Sequence, residues 1–484
     1  MAYKHGVYCS ELPTSIIPPV NTTAGLPVVV GTAPLHLASD RAAANRPVLC
    51  YSYAEAVAVL GYSADWEKYT LCEVMYSQFA LYNRAPIVFI NVVDAEKHTN
   101  HITATIDIRG KEAVINSAVL LDTLVVKGSA ELEAALKGVD YEVAYNDDEE
   151  CVISVLDGGA LDKEGQDGLY VEYEQLDVSK INDNDIIGGV DVNTGAYRGL
   201  ECIDQVFPLY GLVPGILLAP GWSDKPGVAS VMVAKAGNIN SHFQASVFCD
   251  IPCDEEGATK YTDVSLWKNK NNYVNVDQVA CWPMVKNGDT VYHMSTHLLG
   301  VCSQVDSAND DIPYESPSNK TAQITGTCLA DGTEVILGPE QAEYLNGQGI
   351  ITCLNFIGGW KIWGNRTACY PGNTDAKDAF LCIRRMFNWH KQTFIQTYWA
   401  KVDKPINKRL IQTVIDSENI RLNGYVAQGI LLGARVEFAE SENPVTNLLD
   451  GKIKFHTYFT PPTPAREIEN VIEYDPEYFS TLFA

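Results

Sequence analysis

Positive charge is scarce in this chain of 484 residues: 35 Lys and Arg stand against 61 Asp and Glu, a formal net charge of −26. Binding to a phosphate backbone needs a basic surface, so direct contact with nucleic acid is not expected. Long apolar runs are also missing. None reaches the roughly 18 residues that a bilayer requires, and the start Met1–Gly6 has no apolar h-region, so neither direct membrane insertion nor a secretory signal is expected. The sequence lacks the phosphate-cradling GxxxxGK followed by Ser or Thr, the GxSxG of a nucleophile elbow, and a GxGxxG placed after a strand. No catalytic residue, cofactor or metal site is expected, and no enzyme emerges.

Potential ligand groups are present without converging. Thirteen cysteines run from Cys9 to Cys382, odd in number and without a regular framework. Cys202, Cys249, Cys281, Cys353 and Cys382 sit in apolar runs, where free cysteine behaves as a small core residue in a reducing compartment. His293 and His297 have helical i, i+4 spacing, but no Glu lies between them as in the zincin motif and no third ligand stands out. Cys249 and Cys253 are wrongly spaced for a zinc knuckle. Asp183-Asn184-Asp185 with Gly188 approaches a calcium loop, but Ile187 occupies a ligand position and Thr194 replaces the closing Glu.

What the sequence does have is rhythm. Leu26–Gly31 and Pro86–Val93 read as buried strands, with helical patterns at Tyr53–Leu60 and Glu67–Tyr82 between them, the start of an α/β layer. At Asp94 the composition changes. From there to Asp185 there are 22 acidic and 7 basic residues, and short alternating runs at Thr103–Ile108, Thr123–Val126, Tyr141–Tyr145 and Cys151–Leu156 are broken by turn residues. This pattern predicts an inserted β-sandwich or barrel, with one helical patch at Ala130–Leu136. From Gly199 helices and strands alternate again, which predicts a parallel sheet covered on both faces.

The stretch from Gln341 to Trp399 reads as a scaffold. Ile350–Ile357 is β-branched and apolar, Gly358-Gly359 supplies the positive φ of a two-residue hairpin turn, and Trp360–Trp363 returns as the partner strand. Thr374 or Asp375 can cap a helix of about seven turns carrying Ala379, Ile383, Phe387, Phe394 and Tyr398 near a 3.6 period.

The two ends are unusual. Tyr3–Cys9 reads as a strand cut off by Pro13, Pro18 and Pro19, and Glu467–Tyr474 as another behind Pro461, Pro462 and Pro464. An unpaired strand exposes a row of backbone donors and acceptors and needs a receiver, usually a neighbour's sheet edge. A subunit that both gives and takes arms makes rings or helices.

Several pieces together resemble the contractile-tail sheath family: His5-Gly6-Val7-Tyr8 before a proline-rich stretch, Ala219–Ser223, Asp250-Ile251-Pro252, Pro317–Lys320, Gly358–Thr367 with the helix containing Ile383–Phe387, and Asp450–Ile453 with Thr460–Glu467. The resemblance covers nearly the whole chain and is weakest across the acidic insert. It implies a discontinuous α/β core with an inserted β-sandwich or barrel module, an α+β C-terminal domain and extended terminal strand arms. The implied divisions are an N-terminal linking arm at 1–22, core at 23–93, an acidic β-rich peripheral domain at 94–190, core again at 191–340, a tube-facing C-terminal domain at 341–465, and a C-terminal linking arm at 466–484. It implies a helical homo-oligomer of stacked rings around a tail tube protein, with baseplate and tail terminator partners. Such a cylinder would sit in a virion tail or an extracellular phage-like particle assembled in host cytoplasm. The arms would link subunits through Tyr3, His5, Val7, Cys9, Ile468, Ile472 and Tyr474. From Trp360 to Arg435 there are 12 basic and 5 acidic residues, which marks Arg384, Arg385 and Lys391 as candidates for holding the tube. The competing expectation, a cytosolic enzyme with a Rossmann-like core, lacks a phosphate-binding loop. A secreted surface-layer protein lacks a signal.

Overall fold

The computed structural model of the chain describes residues 25–483. Tyr3, His5, Val7 and Cys9 of the expected first arm therefore lie outside the described residues. The largest sheet has eight strands: β1 Pro27–Gly31, β2 Pro47–Cys50, β3 Ile87–Asn91, β4 Ile216–Leu218, β5 Ser246–Asp250, β6 Gln278–Cys281, β7 Ile350–Asn355 and β8 Trp360–Trp363. Their spatial order is β8-β7-β6-β5-β4-β1-β3-β2. The six inner strands are parallel, and β2 and β8 close the two edges antiparallel. Every residue of β1, β4, β5 and β6 is buried. Burial on both faces is why these strands read as unbroken apolar runs rather than alternating ones. Edge strand β2 begins on Pro47, whose missing N–H costs least at the first position of an edge.

Helix α1, Met294–Ala308, packs on β5. A Cβ on its Gly300 would lie 2.3 Å from the Tyr82 ring, so only glycine allows this approach. The Tyr82 hydroxyl in turn meets His297 Nδ1 at 2.8 Å, and burial holds that imidazole down to about 3. His293 faces another element: Glu73 takes its backbone N–H at 2.8 Å and lies 2.7 Å from its Nδ1. The two histidines are thus separately engaged. The twelve described cysteines are all buried and free. Asp183–Ile187 is a short helix, its Asn182 and Asp185 forming a capping box.

Between β3 and β4, residues Thr99–Leu176 supply two three-stranded antiparallel sheets. They share a separate apolar cluster that includes Val126, Cys151, Ile153, Leu169 and Val171. The first and last strands of this insert pair along their whole length, from Thr99↔Leu176 to Asp107↔Gly168. Entry and exit therefore lie side by side. The helix expected at Ala130–Leu136 does not form: Ala135 N–H bonds the Val126 carbonyl, and Leu136 N–H bonds the Asp140 carboxylate at 2.7 Å.

Three expectations for the C-terminal third are corrected. First, the Ile350–Trp363 hairpin is the edge of the main sheet rather than the opening of a domain at 341, because Ala280↔Ile350 and Cys281↔Ile351 extend the parallel ladder. Second, pairing stops at Asn355↔Trp360, so the loop has four residues, with Phe356 and Ile357 exposed ahead of the positive-φ Gly358 and Gly359. Third, the long helix is broken. Asp375 caps a short piece, Ala376–Ala379, and Phe380 is extended (φ −105°, ψ 124°) before α2, Leu381–Tyr398. Phe380 bridges to Arg366, whose guanidinium lies 3.8 Å from the Phe380 ring centroid. That contact requires the ring to leave the helical path.

Candidate functional site

The C-terminal unit is built on α2 and on α3, Lys408–Ala427. Asn407 caps α3 by accepting Leu410 N–H at 2.9 Å. Trp389, Met386 and Leu422 from these helices cluster with Ile430, Leu431 and Val436. Upon this cluster lies a two-stranded antiparallel hairpin, Gly433–Glu437 with His456–Thr460. The turn between its strands is clasped by Asn443, which accepts Lys454 N–H at 2.7 Å and donates to the Lys454 carbonyl at 2.9 Å.

The two outer edges of this hairpin differ. Asn419 of α3 accepts Val436 N–H at 2.9 Å and donates to the Val436 carbonyl at 3.1 Å, which closes the first strand at its centre. The outer edge of His456–Thr460 carries no third strand among the described residues. On the hairpin surface, Arg435 lies 3.8 Å over the Tyr458 ring, and His456 stacks on Tyr458 at 4.1 Å. These contacts stiffen an exposed strand that has only one partner.

Pro461 is buried directly after that strand, and the chain leaves the body through Pro462 and Pro464. Beyond this point the expected arm strand is unpaired in the single chain. Residues 461–475 hold no regular element, and Ile468, Ile472 and Tyr474 are 88%, 86% and 73% exposed. A strand needs a partner to satisfy its ladder, and the single chain offers this segment none among the described residues. A short 3-10 run, Pro476–Phe483, ends the described chain.

The basic candidates divide. Arg384 and Arg385 are buried rather than surface groups, 7% and 3% exposed, which corrects their assignment as tube contacts. Arg384 meets Asp277 at 3.1 Å and Asp378 at 3.2 Å, and donates to Asn388 Oδ1 at 2.6 Å. Arg385 forks onto Asp306. A buried charge must be paired; Asp378 is a near neighbour of Arg384, but Asp277 and Asp306 lie about 80 to 110 residues away, where no helical periodicity could reveal them. Lys391 is exposed, with its Nζ 2.6 Å from Gln244 Oε1.

No family model matches the chain. Among curated proteins it is 26% identical to the tail sheath protein of Burkholderia phage BcepMu over 99% of this chain and 98% of that one. It is 24% identical to the tail sheath protein of Escherichia phage P2, over 59% of this chain and 69% of that one. Over almost its whole length the chain is thus similar to a phage tail sheath protein. The sheath fold itself recurs in solved structures of lower identity. The sheath complex of an extracellular contractile injection system in its contracted state matches 99% of both chains at 14% identity, with a TM-score of 0.57. The contracted helical sheath of the anti-feeding prophage matches 98% of this chain and 100% of that one at 13% identity, also with a TM-score of 0.57.

Proposed function

We propose that this chain is the structural subunit of a contractile tail sheath, polymerising as a helical cylinder around a tail tube and contracting to drive the tube through a target cell envelope. The observation that carries the reading is the pairing of an exposed, apolar C-terminal segment behind a proline hinge with an open sheet edge at His456–Thr460. Among the described residues, each copy carries both halves of a strand-addition contact and satisfies neither alone. Backbone ladders of this kind give affinity, and alternate side chains give specificity. A head-to-tail contact between identical copies propagates into rings or helices.

In this reading the linking residues are Ile468, Ile472 and Tyr474 at one end and Tyr3, His5, Val7 and Cys9 at the other. The α/β core and the acidic insert at 94–190 stay rigid while the arms reorient. Lys391 remains a candidate tube contact. Partners are further copies of the chain, a tail tube protein, and baseplate and terminator proteins at the ends. The place of action is a virion tail assembled in a bacterial cytoplasm. A second reading keeps the mechanism and changes the particle: the full-length fold match to an extracellular contractile injection system favours a sheath on a genome-free, tailocin-like device.

Negative-stain electron microscopy of the purified chain tests the proposal, intact and without residues 1–18 and 466–484. Hollow cylinders from the intact chain and single particles from the truncated one are expected. Single particles from both, at high concentration and with tube protein present, would overturn it.

A further inference from the structure

The C-terminal segment is longer than its strand requires. A free edge of five residues, His456–Thr460, is satisfied by a strand ending near Tyr474, yet Asp475–Phe483 still follow. Tyr478, Phe479, Leu482 and Phe483 there are all exposed, the last at 92%. Glu473, Asp475 and Glu477 lie directly before them. Contiguous exposed apolar groups mark an interaction surface, and these carry negative charge.

A surface of the opposite character lies beside the free edge. A groove of about 560 Å³ opens between the 238–244 loop and α2, lined by Phe243, Phe394, Ile395 and Phe455, with Lys391 at its rim. It begins where the edge begins, since Phe455 directly precedes His456. Trp399, 59% exposed, extends it through an edge contact on His242 at 5.1 Å. Beyond Trp399 the turn presents Lys401, Lys404, Lys408 and Arg409 with Asp403 as its single acid, and Val402 is exposed among them.

We propose that Asp475–Phe483 of one copy seats in this groove of a second copy, its aromatic side chains against Phe394 and Phe455 and its carboxylates facing Lys391, Lys401 and Lys404. The inference rests on the sheath reading, because it takes the linked molecules to be copies of one chain. It also fixes a direction. A strand added antiparallel to His456–Thr460 ends at the His456 side, and its continuation is delivered to the groove mouth. The C-terminal arm thus has two parts, a backbone-bonded strand and an anchor of side chains.

The test uses the full-length chain carrying Phe479→Ser and Phe483→Ser, so that its own anchor does not compete, with a labelled peptide of residues 473–484 followed by fluorescence anisotropy. Saturable binding is expected, weakening about tenfold as salt rises from about 50 to 300 mM, and by a similar factor in Lys401→Glu/Lys404→Glu. Trp399→Ala should weaken it without altering the salt dependence. Circular dichroism and gel filtration establish that each variant is folded. Absence of binding, or equal binding to the charge-reversed chain, would overturn the proposal. So would charge reversal that blocks assembly on a tube template while peptide binding is unchanged, which would assign the groove to the tube protein. Cylinders from the intact chain without peptide binding would sink this inference and leave the sheath reading standing. Peptide binding without cylinders would overturn the sheath reading and leave only a contact between two copies.

Discussion

Arg385 Nη1 donates to Asp306 Oδ1 at 3.0 Å, and its Nη2 donates to the other carboxylate oxygen, deep between α1 and α2. The pair joins two elements 79 positions apart. Removing one partner leaves the other charged and dry, so Arg385→Leu should lower stability by about 3–5 kcal/mol, and adding Asp306→Leu should recover most of it. Lys391→Ala, at the surface of the same helix, should stay within about 0.5 kcal/mol. Denaturant unfolding of the four chains separates these outcomes.

The Glu73–His293 pair sets an alkaline limit. Burial alone would lower the His293 pKa, but Glu73, with Asp250 and Asp224 nearby, carries it up to about 10. A raised pKa contributes stability that is whole below the ordinary value of 6.5 and is lost as pH climbs through about 10. His293→Gln should therefore be most damaging near pH 6 and approach the parent chain near pH 10. Unfolding midpoints measured at pH 6, 8 and 10 check the sign. A gap that widened with pH would contradict it.

Gly300 has no room for a methyl group. Its neighbour is the Tyr82 ring, held by His297 and by Gln323 N–H at 3.1 Å, so the ring cannot swing away cheaply. Gly300→Ala should cost about 1–3 kcal/mol as overpacking, and more for Val. A thermal melt showing no change would mean that α1 can shift as a body.

Assembly and stability should separate at the C-terminus. Every described residue from 466 to 483 is exposed, so removing residues 466–484 should change the monomer's unfolding midpoint by less than the equivalent of about 0.5 kcal/mol. Sedimentation should nevertheless show that the shortened chain no longer polymerises.

The alternation of buried strands and helices made the parallel core readable, because double burial removes polar residues from each strand in turn. The insert was readable for the opposite reason: its strands alternate, and turn residues punctuate them. Residues 341–363 misled because a Gly-Gly hairpin beside a helix looks self-contained. Only the long-range ladder from Cys281 to Ile351 assigns it to the core. Arg384 and Arg385 misled because basic residues on a helix usually face water, and two of the acids that pair with them, Asp277 and Asp306, lie far off in sequence. The open edge at His456–Thr460 left a faint trace in the alternation of Lys452–Phe459, but its closed counterpart depends on Asn419, a polar residue that no pattern singles out.

Helix α2 belongs to two cores at once: Leu381 and Ile395 join the main-sheet cluster, and Met386 and Trp389 join the cluster beneath the terminal hairpin. On the proposed sheath reading, a load pulled through the C-terminal segment is borne by a stiff rod anchored in both clusters. Little of it can dissipate as deformation inside the subunit, so compliance is left to the Pro461–Pro464 joint. On that proposed reading the molecule is a rigid lever on a short tether, and the length and stiffness of that tether, more than the strength of the body, set how far neighbouring levers swing.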